Sequence, residues 1–319
     1  MPVQDHPVEL TAPDISPYKA GNTGIDYVTT LDSGKPGPHV MINAVTHGNE
    51  ICGAIALDHL FRHGIKPIRG RLSLAFVNHL AFSRFDPSYP RYSRLVDEDI
   101  NRVWVEERLD GVEENNELRR ARELRPIYDT VDHLLDIHSM GTLSPALMLC
   151  NGLNKEVTIA RQIGYPGHIV CGSGHVRGKR LIEYTPFNDT ANPKTALLVE
   201  CGQHWAKSTA TIALDTALYF LRAVNFIDPD FFAAHVTDTD PAPQKVLEVT
   251  AGVTTETDAF RFVENYSGLE TFPKAGTVIA TDGDKPVKTP HDGCILVMPN
   301  PHARKGMRVL RFARDITQQ

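Results

Sequence analysis

His47 and Glu50 lie three positions apart in MINAVTHGNEICGAIAL, where an apolar run gives way to a helix-like one. An imidazole nitrogen and a carboxylate oxygen at this spacing can reach one borderline-soft divalent ion when the chain turns sharply between them, and Gly48 permits the turn. The ion expected there is Zn2+, one per chain. The pattern alone is cheap: His6 and Glu9 in HPVE match it too, but in a polar, proline-containing stretch with no strand to hold them.

A third ligand and chemical partners follow downstream. After an expected helix from Asn116 to about Val131, VDHLLDIHSMG delivers Asp136 and His138 to the end of a short apolar run. Residues two apart share one face of a strand. His138 is therefore the candidate third ligand, and Asp136 can accept a hydrogen bond from a metal-bound imidazole, fixing its tautomer. Spacing leaves open which histidine Asp136 orients. In TALLVECGQHW an apolar run ends at Glu200, and a carboxylate at the end of a buried strand is costly unless it opens onto a cavity with partners. Beside a three-coordinate zinc, which lowers the pKa of bound water to about 7, Glu200 would serve as general base. Arg94, Asn101 and Arg102 lie between the ligands in SRLVDEDINRVW. An arginine near the metal could stabilise an oxyanion and another could grip a substrate carboxylate; either could equally be surface charge.

The ordered set HGNE, DINR, DIH and VECG resembles the succinylglutamate desuccinylase and aspartoacylase family of the zinc carboxypeptidase superfamily, over roughly residues 38–226. The resemblance implies that His47, Glu50 and His138 bind zinc and that Glu200 activates the water. It implies that Arg94, eight residues before Arg102, polarises the scissile carbonyl, and that Asn101 and Arg102 hold the α-carboxylate. The implied reaction is hydrolysis of an N-acyl amino acid. One departure concerns the substrate: Thr190 in FNDTANPKTALLVE stands where aspartoacylases carry an arginine for the aspartate side chain. Their C-terminal binding tyrosine has no counterpart in MPNPHARKGMRVLRFAR, while Arg177, Lys179 and Arg180 in GHVRGKR could offer positive charge from another direction, although such a string reads more often as a solvated loop.

These residues need a scaffold. HVMINAVT, LSLAFVNHL, HLLDIH, ALMLC, HIVCG and ALLVE read as strands; CGAIALDHLFRHG, EVTIARQIG and TATIALDTALYFLRAVNFI read as helices. The alternation predicts an α/β fold, a mixed, largely parallel sheet with helices on both faces, ligands gathering at strand carboxyl ends. This is the zinc carboxypeptidase-like arrangement the resemblance implies. HVTDTDPAPQK marks a boundary, giving a catalytic domain over 1–240 and a small all-β domain over 241–319.

A length of 319 residues and 41% hydrophobic content suffice for a sizeable core, while a net charge of −6 argues against nucleic-acid or anionic-membrane surfaces. Five cysteines without a C-x-x-C pair read as reduced thiols, and Cys201 is expected to face away from Glu200. No leader or membrane span is evident, so a cytoplasmic enzyme acting on a small molecule is expected, with homo-oligomerisation possible. The alternatives are a zinc carboxypeptidase acting on short peptides, or a non-catalytic metal- or ligand-binding protein on the same scaffold.

Overall fold

The computed structural model describes residues 6–172, 178–302 and 304–318. Its frame is one eleven-stranded mixed sheet. The strands are β1 (Val28–Asp32), β2 (His39–Ala44), β3 (Arg71–Phe76), β4 (His133–Met140), β5 (Leu147–Cys150), β6 (His168–Cys171), β7 (Thr195–Gln203) and β8 (Lys245–Thr254). Six more follow: β9 (Phe260–Phe262), β10 (Thr271–Phe272), β11 (Val278–Asp282), β12 (Lys285–Lys288), β13 (Cys294–Val297) and β14 (Arg308–Asp315). The main sheet runs β1-β3-β2-β4-β7-β5-β6-β8-β14-β13-β10, and β12-β11-β9 form a second, antiparallel sheet.

At the centre, β3, β2, β4 and β7 are mutually parallel, so β2, β4 and β7 end on the same edge. Strands covered on both faces read as nearly continuous apolar runs, and every residue of β2 and β7 is buried. The principal helices are α1 (Ile51–Arg62), α2 (Asn116–Tyr128), α3 (Asn154–Ile163), α4 (Lys207–Ala223) and α5 (Pro229–His235).

Strand alternation divides the interior into two cores. Ile42 of β2, Ile137 of β4 and Val199 of β7 pack with α1, α3 and α4 on one face. Met41, Leu134 and Leu198 pack on the other with Trp104 and α2. Helix α1 lies so close to the sheet that a Cβ on Gly53 would stand 3.0 Å from that of Ala44. Asn115 caps α2 by accepting from the Leu118 amide, and the helix runs to Tyr128 with Pro126 in its last turn, a little short of Val131. Across residue 240 the main sheet continues: β8 pairs in parallel with β6, and β14 pairs antiparallel with β8. The C-terminal strands thus join the same sheet as β2, β4 and β7, with a third apolar cluster around Phe260, Ile279 and Val309.

His39, only 5% exposed, ties three elements together at the start of β2. Its ring nitrogens bond to Thr130 Oγ1 at 2.9 Å and Ser73 Oγ at 2.7 Å. Burial, aided by Arg71, pushes its pKa down from 6.5 to about 4. The unfolded chain therefore takes up this proton first as pH falls, so the stability His39 contributes is whole above pH 6.5 and is lost on descending through about 4. Urea unfolding followed over this range should show a falling midpoint, with a smaller fall in His39→Gln; equal slopes would assign the loss to other groups.

Candidate metal centre

The loop after β2 is bent by packing. Val45 adopts a positive φ of 51°, a conformation rare for a β-branched residue. Gly48 provides the turn expected of it through space rather than left-handed backbone: a Cβ there would collide with the backbone of Ala81, Phe82 and Ser93. The Gly48 amide donates to the Arg94 carbonyl at 3.1 Å, and Trp205 Nε1 donates to the Asn49 carbonyl at 3.1 Å. The turn sets Glu50 at the N-cap of α1, beside His47.

His47, Glu50 and His138 converge, all at most 4% exposed, with one potential ligand atom from each within 4.8 Å of the others. His47 Nδ1 lies 2.8 Å from Glu50 Oε1, and His138 Nδ1 lies 2.9 Å from Glu50 Oε2. The opposite ring nitrogens are each held by a carboxylate. Asp136 Oδ2 is 2.8 Å from His138 Nε2, and Asp99 Oδ1 is 2.9 Å from His47 Nε2. Asp136 thus orients His138, and is itself braced by Thr46 Oγ1 at 2.7 Å. In each histidine Nδ1 faces Glu50 and Nε2 faces the other carboxylate, with Arg94 Nη2 also 3.0 Å from His47 Nε2. Two imidazoles and a carboxylate, each backed by a hydrogen-bond partner, are a donor set that could hold a divalent metal ion.

The charges agree with this. Burial opposes the Glu50 charge, but His47 and His138 hold its carboxyl well below the ordinary range. Burial likewise opposes His138, yet Asp136 and Glu50 push it well above. Asp99 is held far down by His47, Arg94 and Arg102 against its own burial. The site favours positive charge among its three ligand atoms.

Glu200 stands beside His138 in the β4–β7 register. It is 8% exposed, its Oε2 has no hydrogen-bond partner, and burial together with the Glu50 charge pushes its carboxyl up to about 8. Arg94 reaches the same point, donating to Glu50 Oε1 at 3.1 Å and Asp99 Oδ2 at 3.3 Å. Asn101 is buried, and its Oδ1 accepts from the Leu181 amide at 2.8 Å, leaving Nδ2 for a ligand. Arg102 lies 3.9 Å from Asp99, its cation disfavoured by burial. Cys201 packs in the opposite core, as its alternation predicts. The decoy pair separates: Glu9 Oε2 accepts from the Lys207 amide at the start of α4.

Several residues that matter here carry no role in the sequence reading. Asp99 sits inside DINR, yet only the fold shows that it faces His47. Glu117 of α2 accepts from the amides of Val96 at 2.6 Å and Asp97 at 2.9 Å, anchoring the loop that carries Arg94 and Asp99. His204 is buried, its Nδ1 2.8 Å from Ser139 Oγ, and burial pushes it down to about 3, so it lines the cleft as a neutral imidazole.

The cleft encloses about 620 Å³ and is lined by Arg180, Arg308 and Arg311 as well as by Arg94 and Arg102. Arg180, open above between site charge and solvated loop, is 6% exposed and paired with Glu183 at 2.9 Å. Lys179 instead pairs with Glu106 at 3.4 Å, and Arg177 lies outside the described residues. Burial, reinforced by Arg180, Arg308 and Arg102, pushes Arg311 down to about 10. Thr190 is exposed, away from the cleft; positive charge arrives instead from β14.

The succinylglutamate desuccinylase/aspartoacylase catalytic-domain model matches residues 36–165, a stretch that contains all three ligand residues but not Glu200. An aspartoacylase from Xenopus tropicalis is 28% identical over 135 residues, a match covering 39% of this chain and only 41% of that protein's length. Among solved structures, a succinylglutamate desuccinylase/aspartoacylase from Rhodobacter sphaeroides superimposes with a TM-score of 0.63 at 18% identity, over 90% of this chain and 89% of that one. A succinylglutamate desuccinylase from Vibrio parahaemolyticus gives 0.62 at 17% identity, over 91% and 86%. At these identities the structural likeness is one of fold.

Asp99→Asn and Asp136→Asn should each weaken zinc binding by roughly 10- to 100-fold, the usual effect of losing a carboxylate behind a ligating imidazole. Competition against a chromogenic chelator measures this, and unchanged affinity would remove the orienting role.

Proposed function

From the likeness to the succinylglutamate desuccinylase/aspartoacylase family, we propose that the chain is a zinc-dependent amidohydrolase that cleaves N-acyl amino acids. The observation that carries the reading is Glu200: a buried carboxylate with an unpartnered oxygen, set beside His138 in the sheet. Nothing structural calls for that carboxylate, whereas a general base for water attack does.

His47, Glu50 and His138 would hold the ion, and zinc so held supplies Lewis acidity and lowers the pKa of the water it binds to about 7. Glu200 takes the proton of the attacking water and passes it to the departing nitrogen, so that amide and water become a carboxylate and an amine. Arg94 donates toward the acyl oxygen as negative charge develops there. Asn101 Nδ2 and Arg102 hold the α-carboxylate, the latter satisfying a half-buried cation. Arg311, with Arg308 and Arg180 beside it, receives a second anionic group on the substrate, which restores an acidic substrate despite Thr190. Residues 1–240 supply the reacting groups, and 241–319 form a β domain that walls the cleft with Arg308 and Arg311. No helix among the described residues is long and apolar enough to cross a membrane, and the five cysteines are unpaired and buried; both suit a cytoplasmic enzyme.

Release of free amine from a panel of N-acyl amino acids, before and after chelation and with zinc restored, tests the reaction class. Turnover should vanish on chelation and return with zinc; absence of turnover in fully zinc-loaded protein would refute the proposal. Glu200→Gln should keep its zinc while kcat falls on the order of 10² or more. Near-normal turnover would show that another group takes the proton. Arg311→Ala should raise KM about tenfold for substrates bearing a second carboxylate, the worth of one charge-assisted hydrogen bond, and leave singly charged substrates unaffected. An equal effect on both classes would mean that Arg311 does not discriminate between them.

A further inference from the structure

Three histidines meet at the end of α1 opposite Glu50. His59 lies in the last turn of the helix, His63 is its C-cap, and His235 ends α5. His59 and His63 are four residues apart, the helical spacing at which two side chains share a face. From each of the three, one potential ligand nitrogen lies within 4.8 Å of the others. His59 Nε2 is 3.0 Å from His235 Nδ1. The His63 and His235 rings meet with centroids 4.7 Å apart, and those of His59 and His63 are stacked at 4.0 Å.

The protons are arranged for ligation. His63 Nδ1 donates to the His59 carbonyl at 2.8 Å, which leaves the Nε2 lone pair free. His59 and His235 share one hydrogen bond between two nitrogens, an arrangement that requires one of them to present a lone pair. Burial, together with the charges of His63 and His235, pushes His59 down, and burial with His63 does the same to His235. Asp58, which favours the charged form of His59, is already bonded to Arg62 and Tyr18. Neutral imidazoles are the form that binds metal.

In a tetrahedral site with bonds of about 2.0–2.1 Å, ligand nitrogens stand roughly 3.3 Å apart, so His59 and His235 need to separate by only a few tenths of an ångström. His63 is exposed and can swing onto the ion by side-chain rotation. We propose that His59, His63 and His235 form a second, peripheral binding site for a borderline divalent transition-metal ion of the zinc class, its fourth position open to solvent. The donor set is all nitrogen, which suits Zn2+, Ni2+ or Cu2+ and disfavours Mg2+ and Ca2+. The twelve residues of α1 separate it from Glu50 by about 18 Å, so the two sites cannot share an ion. Loading would clasp α5 to α1.

The test is zinc stoichiometry of the full chain, stripped with chelator and titrated with zinc alone by calorimetry. The wild type should take two equivalents. A His63→Ala/His235→Ala variant should lose the second and keep the first, with amide hydrolysis at one equivalent unchanged. A His47→Ala/His138→Ala variant should keep only the peripheral equivalent, which separates this site from the catalytic reading. Circular dichroism checks the fold of both. A second equivalent that survives removal of His63 and His235, or no binding by the His47→Ala/His138→Ala variant, overturns the proposal.

Discussion

The bridging of Glu50 between two imidazoles is the constraint on which the remainder of the site depends. A carboxylate 2% exposed at the edge of a buried sheet is tolerable only when positive charge or donors surround it, and His47, His138, Arg94 and the Ser139 amide all do so. Those partners come from three separate stretches of chain, so the loop after β2, the end of β4 and the loop bearing Arg94 must all be in place together. Gly48 packing, the Trp205 contact to Asn49 and the anchoring by Glu117 serve that one meeting point. Each holds a backbone segment whose side chain Glu50 requires.

Around this point the electrostatics divide by distance from the ligands. Close in, carboxylates dominate: Glu50, Asp99, Asp136 and Glu200 stand within one short stretch of the sheet edge, and their mutual repulsion is part of what lifts Glu200. Farther out, Arg102, Arg180, Arg308 and Arg311 face the same cleft, and burial together with the other three charges depresses Arg311. A cation-favouring floor beneath an anion-favouring wall would, in the proposed reaction, place the scissile bond at the floor and substrate carboxylates at the wall.

Much of the inner site was legible in the sequence because strand ends advertise it. His138, Asp136 and Glu200 are polar residues that terminate apolar runs, and alternation alone put Cys201 on the other face. Asp99 was not legible in role, since its partner His47 lies 52 residues away and only the packing of an irregular loop joins them. Arg311 reads from sequence as an ordinary strand arginine; its place in the cleft follows from β14 pairing with β8, a long-range register that no local pattern encodes. Arg180 in GKR could be read as site charge or as solvated loop, and its enclosure with Glu183 decides between them. The helices and central strands were read closely, while the joining of the C-terminal strands to the main sheet depended on pairing that composition does not reveal.

The unbroken sheet has a consequence for how guests come and go. Ladder hydrogen bonds run from β4 through β7, β5, β6 and β8 to β14, so the wall bearing Arg308 and Arg311 is welded to the floor bearing His138 and Glu200. Among the described residues this ladder offers no hinge about which one half could swing over the other. Opening and sealing of the cleft then fall to rotamer changes of long side chains such as Met298, Met307 and the arginines, which occur in picoseconds to nanoseconds rather than over the microseconds to milliseconds of domain closure.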